Sequence, residues 1–175
     1  MSDSRQQGVS PVGERGVGAT SAAWLTVLRC YLVALALGNL AWEFAHLPLY
    51  TIWKTGRSGE ITFAAVHCTG GDILIGTASL VLALALGGGG WPSASAAYLR
   101  VAVLTGGFGL AYTVFSEWLN VAVRKSWGYS ELMPVVPGTT VGLSPLLQWV
   151  VLPVVAFWLA RRRLCVDRRQ AASGP

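Results

Sequence analysis

The sequence predicts an all-α integral membrane protein: a bundle of four transmembrane helices with a disordered N-terminal tail. Three observations carry that expectation. Charged residues make up 12% of the 175-residue chain and hydrophobic residues 53%, whereas a soluble domain carries roughly 25% charged residues. Four long apolar stretches follow one another, each near the 20 or so residues that a helix needs to cross the hydrocarbon core. Lys and Arg gather in the short segments between and after these stretches.

The elements follow in order. Residues 1–21 are rich in Ser, Gly, Gln and Arg with few large apolar groups, and read as a disordered tail. They are not a signal peptide, because the next stretch is too long and ends in Trp42-Glu43-Phe44 instead of small residues. The four spans are expected at about 22–47, 61–86, 97–123 and 141–160. They are continuously apolar, not alternating, so they are helices and not barrel strands. Residues 48–60 form a short loop with Lys54 and Arg57. Residues 87–95 contain Gly87-Gly88-Gly89-Gly90-Trp91-Pro92, too rich in breakers for a helix. Residues 124–140 form the longest loop, with Pro134, Pro137 and Gly138. Residues 161–175 form a basic tail with five arginines.

The net charge of +5 does not point to nucleic acid. The basic residues flank apolar spans, where they act as topology signals and meet anionic headgroups. With both termini cytoplasmic, the inside holds Arg5, Arg15, Arg29, Arg100 and the tail arginines. The outside holds only Lys54, Arg57, Arg124 and Lys125. The expected location is therefore an inner or plasma membrane, crossed four times, with N and C termini cytoplasmic. Cys30, Cys68 and Cys165 form no CxxC pair and no disulfide framework. Gly70-Gly71 and Gly106-Gly107 with Gly109 are small-residue patches expected to let neighbouring helices approach closely.

The depth of the polar residues is the most informative pattern. Asn39, Glu43 and His46 share one face of the first span at i, i+4, i+7. His67, Cys68 and Asp72 come early in the second. Thr113, Ser116, Glu117 and Asn120 share a face late in the third. Ser144 and Gln148, with Trp149 beside them, come early in the fourth. Because the helices alternate in direction, all lie in the same half of the bilayer. At 1.5 Å per residue, Glu43 and Glu117 sit roughly 6 to 9 Å inside the boundary and Asp72 about 16 Å. Intramembrane charge is costly and points to function. The expected site is an outer-leaflet pocket of Asn39, Glu43, His46, His67, Asp72, Ser116, Glu117, Asn120, Gln148 and Trp149. It opens toward the first and third loops, ringed by Tyr50, Trp53, Trp127 and Tyr129. Single polar residues such as Asn39, Ser116, Asn120 and Gln148 can also be helix-to-helix glue.

Three chemistries fit these residue types. In the first, an acid in a low-dielectric site stays neutral and protonates an apolar, isoprenoid-like lipid, and aromatic faces stabilise the carbocation. Glu43, Asp72 and Glu117 would share the acid and base roles. In the second, Glu43, His46, His67, Asp72 and Glu117 hold a transition metal. Glu43-Phe44-Ala45-His46 has the Glu-x-x-His spacing of di-iron bundles, although only one such motif is present. In the third, the protein is a non-enzymatic accessory subunit whose polar face meets a partner helix. No GxSxG or HExxH motif supports a hydrolase. The expected partners are the lipid bilayer and an apolar lipid ligand, with oligomerisation open.

The string Asn39-Leu40-Ala41-Trp42-Glu43, at the end of a membrane helix and followed by Tyr50, resembles a motif of the integral membrane terpene cyclases of meroterpenoid pathways. That resemblance implies a role in protonation for Glu43 alone. It covers under a tenth of the chain. The chain has fewer predicted helices than that family, and Glu117-Trp118-Leu119-Asn120 and Trp127-Gly128-Tyr129 match nothing in it. More broadly, the chain resembles small bacterial polytopic membrane proteins.

Overall fold

The computed structural model describes residues 12–173 and is all α. Its helices are α1 (Val12–His46), α2 (Ile52–Thr55), α3 (Ser58–Gly87), α4 (Ser95–Glu117) and α5 (Leu143–Ala172). A 3₁₀ turn at Leu47–Leu49 follows α1, and a π-helical turn at Trp118–Val123 follows α4. Among the described residues, four helices are long and apolar enough to cross a membrane: Ser21–Leu49, Ser58–Gly87, Ser95–Val123 and Leu143–Gln170.

Two boundaries differ from the sequence expectation. Residues 1–11 of the expected tail lie outside the described residues, and α1 already begins at Val12. At the other end, α5 does not stop near residue 160 but runs through the basic segment to Ala172. Arginine is a good helix former and no breaker intervenes. The Arg162 guanidinium also sits 3.8 Å over the Trp158 ring, and Arg161 bonds Ser95 Oγ at 2.9 Å.

Local sequence explains the other ends. Pro48 cannot continue α1 and tightens it into the 3₁₀ turn. Glu60 starts α3 by accepting the Arg57 backbone N–H at 2.8 Å, the carboxylate half of a capping box. The glycine run ends α3 at Gly87, and Gly90 takes a left-handed φ of 83° to turn the chain.

The four long helices pack as a ring, α1 to α3 to α4 to α5 and back to α1. Short connections make neighbours antiparallel, so both ends of the bundle's chain lie at one end of it. The apolar core occupies that end. It joins Val27, Tyr31 and Leu35 of α1, Leu80 and Ala83 of α3, Tyr98 and Val101 of α4, and Phe157 and Leu164 of α5. Its two tyrosines satisfy their hydroxyls on helix carbonyls, Tyr98 on Phe157 at 2.6 Å and Tyr31 on Gly76 at 3.4 Å. Elsewhere Leu37, Leu74, Leu86, Val103 and Val154 are exposed. Such exposure on every side suits lipid as the surrounding solvent.

The glycine patches meet the expectation at Gly109 and depart from it at the other four positions. A Cβ at Gly70, Gly71, Gly106 or Gly107 would meet nothing within 4 Å. They border open space and do not bring helices together. Close approaches occur instead at Gly76, where a Cβ would overlap Leu35 of α1, and at Gly109, where it would overlap the Trp149 ring of α5. An indole needs a flat partner, and only glycine offers one there.

Candidate functional site: an acid cavity at the loop end

The half of the bundle opposite the apolar core encloses a cavity of about 910 Å³. α1 contributes Glu43 and His46, α3 His67, Cys68 and Asp72, α4 Thr113, Ser116 and Glu117, and α5 Gln148 and Trp149. Tyr50, Thr51, Ile52 and Trp127 close its loop end.

The helical spacing read in the sequence places these groups. Asn39, Glu43 and His46 are buried on the inner face of α1, at 1%, 6% and 6% exposure. Gln148 of α5, at 3% exposure, reaches into the same space. Its amide nitrogen lies 2.8 Å from Asn39 Oδ1, 3.2 Å from Glu43 Oε1 and 2.9 Å from Asp72 Oδ2. One amide nitrogen has two N–H groups, so three acceptors compete for two protons. Glu43 and Asp72 also face each other within hydrogen-bonding reach. Two ionised carboxylates there would repel. A single proton between them turns the repulsion into a hydrogen bond, and Gln148 then serves the remaining oxygens.

Glu43 has a second partner. Its Oε2 lies 3.2 Å from His46 Nε2, and His46 Nδ1 lies 3.0 Å from Ser144 Oγ. Ser144 is not part of the cavity wall. The array therefore orients the imidazole from behind and does not present a serine nucleophile to the cavity.

Glu117 is buried in the opposite wall, at 6% exposure. The Tyr129 hydroxyl donates to its Oε2 and accepts the Gly142 backbone N–H at 2.9 Å. The nearby Trp127 indole N–H comes close to Glu117 but falls short of hydrogen-bonding geometry, leaving a buried donor without a partner. Burial pushes the Tyr129 phenol well above its usual range, and the contact with Glu117 adds to the shift. Tyr50 is shifted in the same direction, by burial first and then by Glu117, Tyr129 and Glu43. Both phenols are therefore neutral donors at ordinary pH.

The loops form a cover. Tyr50 pairs with Tyr129 in an isolated antiparallel bridge. Thr51 donates its backbone N–H to Gly128 O at 3.0 Å, and Ser130 donates to Leu49 O at 2.9 Å. Lys54 holds Glu131 at 2.8 Å. On the flank formed by α3 and α4 the wall is open: Phe63 and Tyr112 are 68% and 50% exposed, and His67 is exposed beside them.

Most of the expected site residues meet here, with four corrections. Asn120 does not reach the cavity; its amide donates to Ser116 O at 2.9 Å and to Ser116 Oγ at 3.2 Å. Asn39 stands behind the wall, donating to Leu35 O at 2.8 Å and accepting from Gln148. Trp53 is half exposed and outside the wall, as is Tyr129, whose part is to hold Glu117. Sequence reasoning placed Tyr129 only at the rim, and assigned no role to Phe63. Its position four residues before His67 was the available signal, and the two rings stack with centroids 5.4 Å apart.

The five candidate metal ligands do not form one set. Among the described residues, no three His, Cys, Asp or Glu side chains are arranged to hold a metal ion. His46 is engaged by Glu43 and Ser144, whereas His67 lies on the open flank against Phe63. No family model, curated protein or solved structure matches the chain.

Proposed function

We propose that the cavity performs acid-initiated isomerisation or cyclisation of an uncharged isoprenoid-like lipid, with Glu43 as proton donor. The observation that carries this reading is the Glu43–Asp72 pair on one buried amide nitrogen in the wall of a large, mostly apolar cavity. A carboxyl proton shared by two acids in a water-poor site is available for transfer to a carbon–carbon double bond. The electron pair of that bond takes the proton from Glu43, leaving a carbocation on the neighbouring carbon. The faces of Tyr50, Trp127 and Trp149 can stabilise it. Loss of a different proton to Glu43, Asp72 or Glu117 regenerates a double bond and returns the acid. The product is an isomer, and no co-reactant is consumed.

Two features narrow the substrate. The wall contains four acids, Glu43, Glu60, Asp72 and Glu117, and among the described residues no Lys or Arg. A diphosphate-bearing lipid would find no cationic partner in it, which favours an uncharged substrate. The exposed flank between α3 and α4, with open space at Gly70 and Gly71, suits entry from the bilayer. The short resemblance around Glu43 agrees with the donor role. The accessory-subunit reading needs an outward polar face, yet Asn39, Glu43 and Gln148 are satisfied within one chain.

The test is isotopic. Protein in nanodiscs is incubated in D₂O with linear polyprenyl hydrocarbons, and recovered lipids are analysed by mass spectrometry. Deuterium on carbon is expected with the parent protein. Glu43→Gln should lower its rate by about 10² to 10⁴-fold, the usual worth of a general acid. Incorporation equal in parent and variant would sink the reading.

A further inference from the structure

A second groove lies at the opposite end of the bundle, between α1 and α5. It measures about 860 Å³ and is lined by Arg29, Arg162 and Arg163 above Val33, Ala34 and Leu159. We propose that it is a binding site for an anionic phospholipid, whose phosphate sits between Arg29 and Arg162 and whose acyl chain lies along the apolar residues below.

Depth is the first argument. Arg29 precedes Leu49, the end of its candidate span, by 20 residues, and Arg163 follows Leu143, the start of its own, by the same number. At 1.5 Å per residue both intervals are about 30 Å, the thickness of the hydrocarbon core. When the loop ends of these helices sit at one boundary, the arginines sit at the other, at the level of lipid phosphates. Val33 is 57% exposed and Leu159 38% exposed, so the groove's deeper walls face lipid tails.

Charge is the second argument. The titratable groups in the groove are Arg29, Arg162, Arg163, Cys30 and Asp167. Asp167 accepts Thr26 Oγ1 at 3.3 Å and pairs with Arg163 at 3.5 Å, which neutralises one arginine. Arg162 lies over Trp158 at 3.8 Å; a guanidinium so stacked keeps its in-plane N–H donors for a phosphate. Among the described residues Arg29 makes no ion pair. Two cations facing lipid at headgroup depth call for an anion.

The neighbouring arginines supply a matched control. Arg168 bonds Ser93 at 2.8 Å, and neither it nor Arg169 lines the groove. The intact protein is released from nanodiscs of equal phosphatidylglycerol and phosphatidylcholine, and retained lipid is counted by native mass spectrometry. The parent is expected to retain phosphatidylglycerol selectively. Arg29→Gln/Arg162→Gln should lose that preference by about fivefold per arginine, given about 1 kcal/mol per basic residue at a membrane surface. Arg168→Gln/Arg169→Gln, with the same change in net charge, should keep it. Arg29→Lys/Arg162→Lys, which preserves charge, should fall between and covers the case in which the glutamine variant does not fold. Equal loss in both glutamine variants would mean bulk charge only and overturn the site, as would no preference in the parent. Displacement of the lipid by inorganic phosphate would overturn the role given to the apolar wall.

Discussion

The amide nitrogen of Gln148 lies 2.9 Å from the Asp72 carboxylate, joining α5 to α3 across the diagonal of the bundle. These helices are not neighbours in the packing ring. One side chain therefore ties opposite walls of the cavity and, through Glu43 and Asn39, the intervening helix α1.

Replacing that side chain should be costly. Gln148→Leu removes the donor from two buried acceptors, Asn39 and Glu43, each costing about 1 to 3 kcal/mol when left unpaired, and from the half-buried Asp72. A clear drop in melting temperature is expected in detergent. Asp72→Asn in the same background should recover part of it, because an amide there no longer presents a charge. An unchanged melting curve for Gln148→Leu would show that the network carries no stability.

The glycines separate packing from open space. Gly109→Ala drives a methyl group into the Trp149 ring and should cost about 1 to 3 kcal/mol, as overpacked cores do. Gly70→Ala and Gly107→Ala meet nothing and should be neutral or stabilising by up to about 1 kcal/mol, since alanine is the better helix former. Equal effects at all three positions would contradict this division.

Alkaline pH tests the loop cover. Tyr50 and Tyr129 have folded-state pKa values raised above the unfolded value near 10. Their contribution is fully present below that unfolded value and is lost as pH rises above it toward the folded one. Stability should therefore fall above about pH 10, and fall less in Tyr50→Phe/Tyr129→Phe. Ultraviolet titration near pH 10 should show the same tyrosine absorbance change in the parent and in Tyr50→Phe/Tyr129→Phe, unless the cover opens first.

The exposed Lys54–Glu131 pair tests the same cover from the acid side. Hydrogen bonding and the charge of Lys54 hold the Glu131 carboxyl below its usual range. A depressed carboxyl contributes above its unfolded pKa and loses that contribution as pH falls through the folded one. The pair is solvated, so its effect is small and screened by salt. Any stability difference between the parent and Glu131→Gln should shrink below about pH 4.5 and in high salt. A difference that persisted in acid would assign it to something other than the pair.

The sequence by itself determined the number of long helices, their order and the end of the bundle at which polar groups gather. Those properties are one-dimensional: span length follows from continuous apolar runs, and the shared face of Asn39, Glu43 and His46 follows from helical periodicity. It could also mark Gln148 and Asp72 as polar at similar depth. The tertiary structure alone decided which helices are neighbours and therefore which groups meet. It joined Gln148 to Asp72 and Tyr129 to Glu117, and turned Asn120 back onto its own helix. It left His67 on the open flank, so that five plausible metal ligands do not make one set. It also separated Gly109, which meets the Trp149 ring, from Gly70, Gly71, Gly106 and Gly107, which meet nothing within 4 Å. Spacing along a helix sets a residue's face and depth, but the rotation of each helix about its own axis is set by packing against its neighbours. That rotation, and the side chain lengths that bridge the remaining gap, decide the contacts.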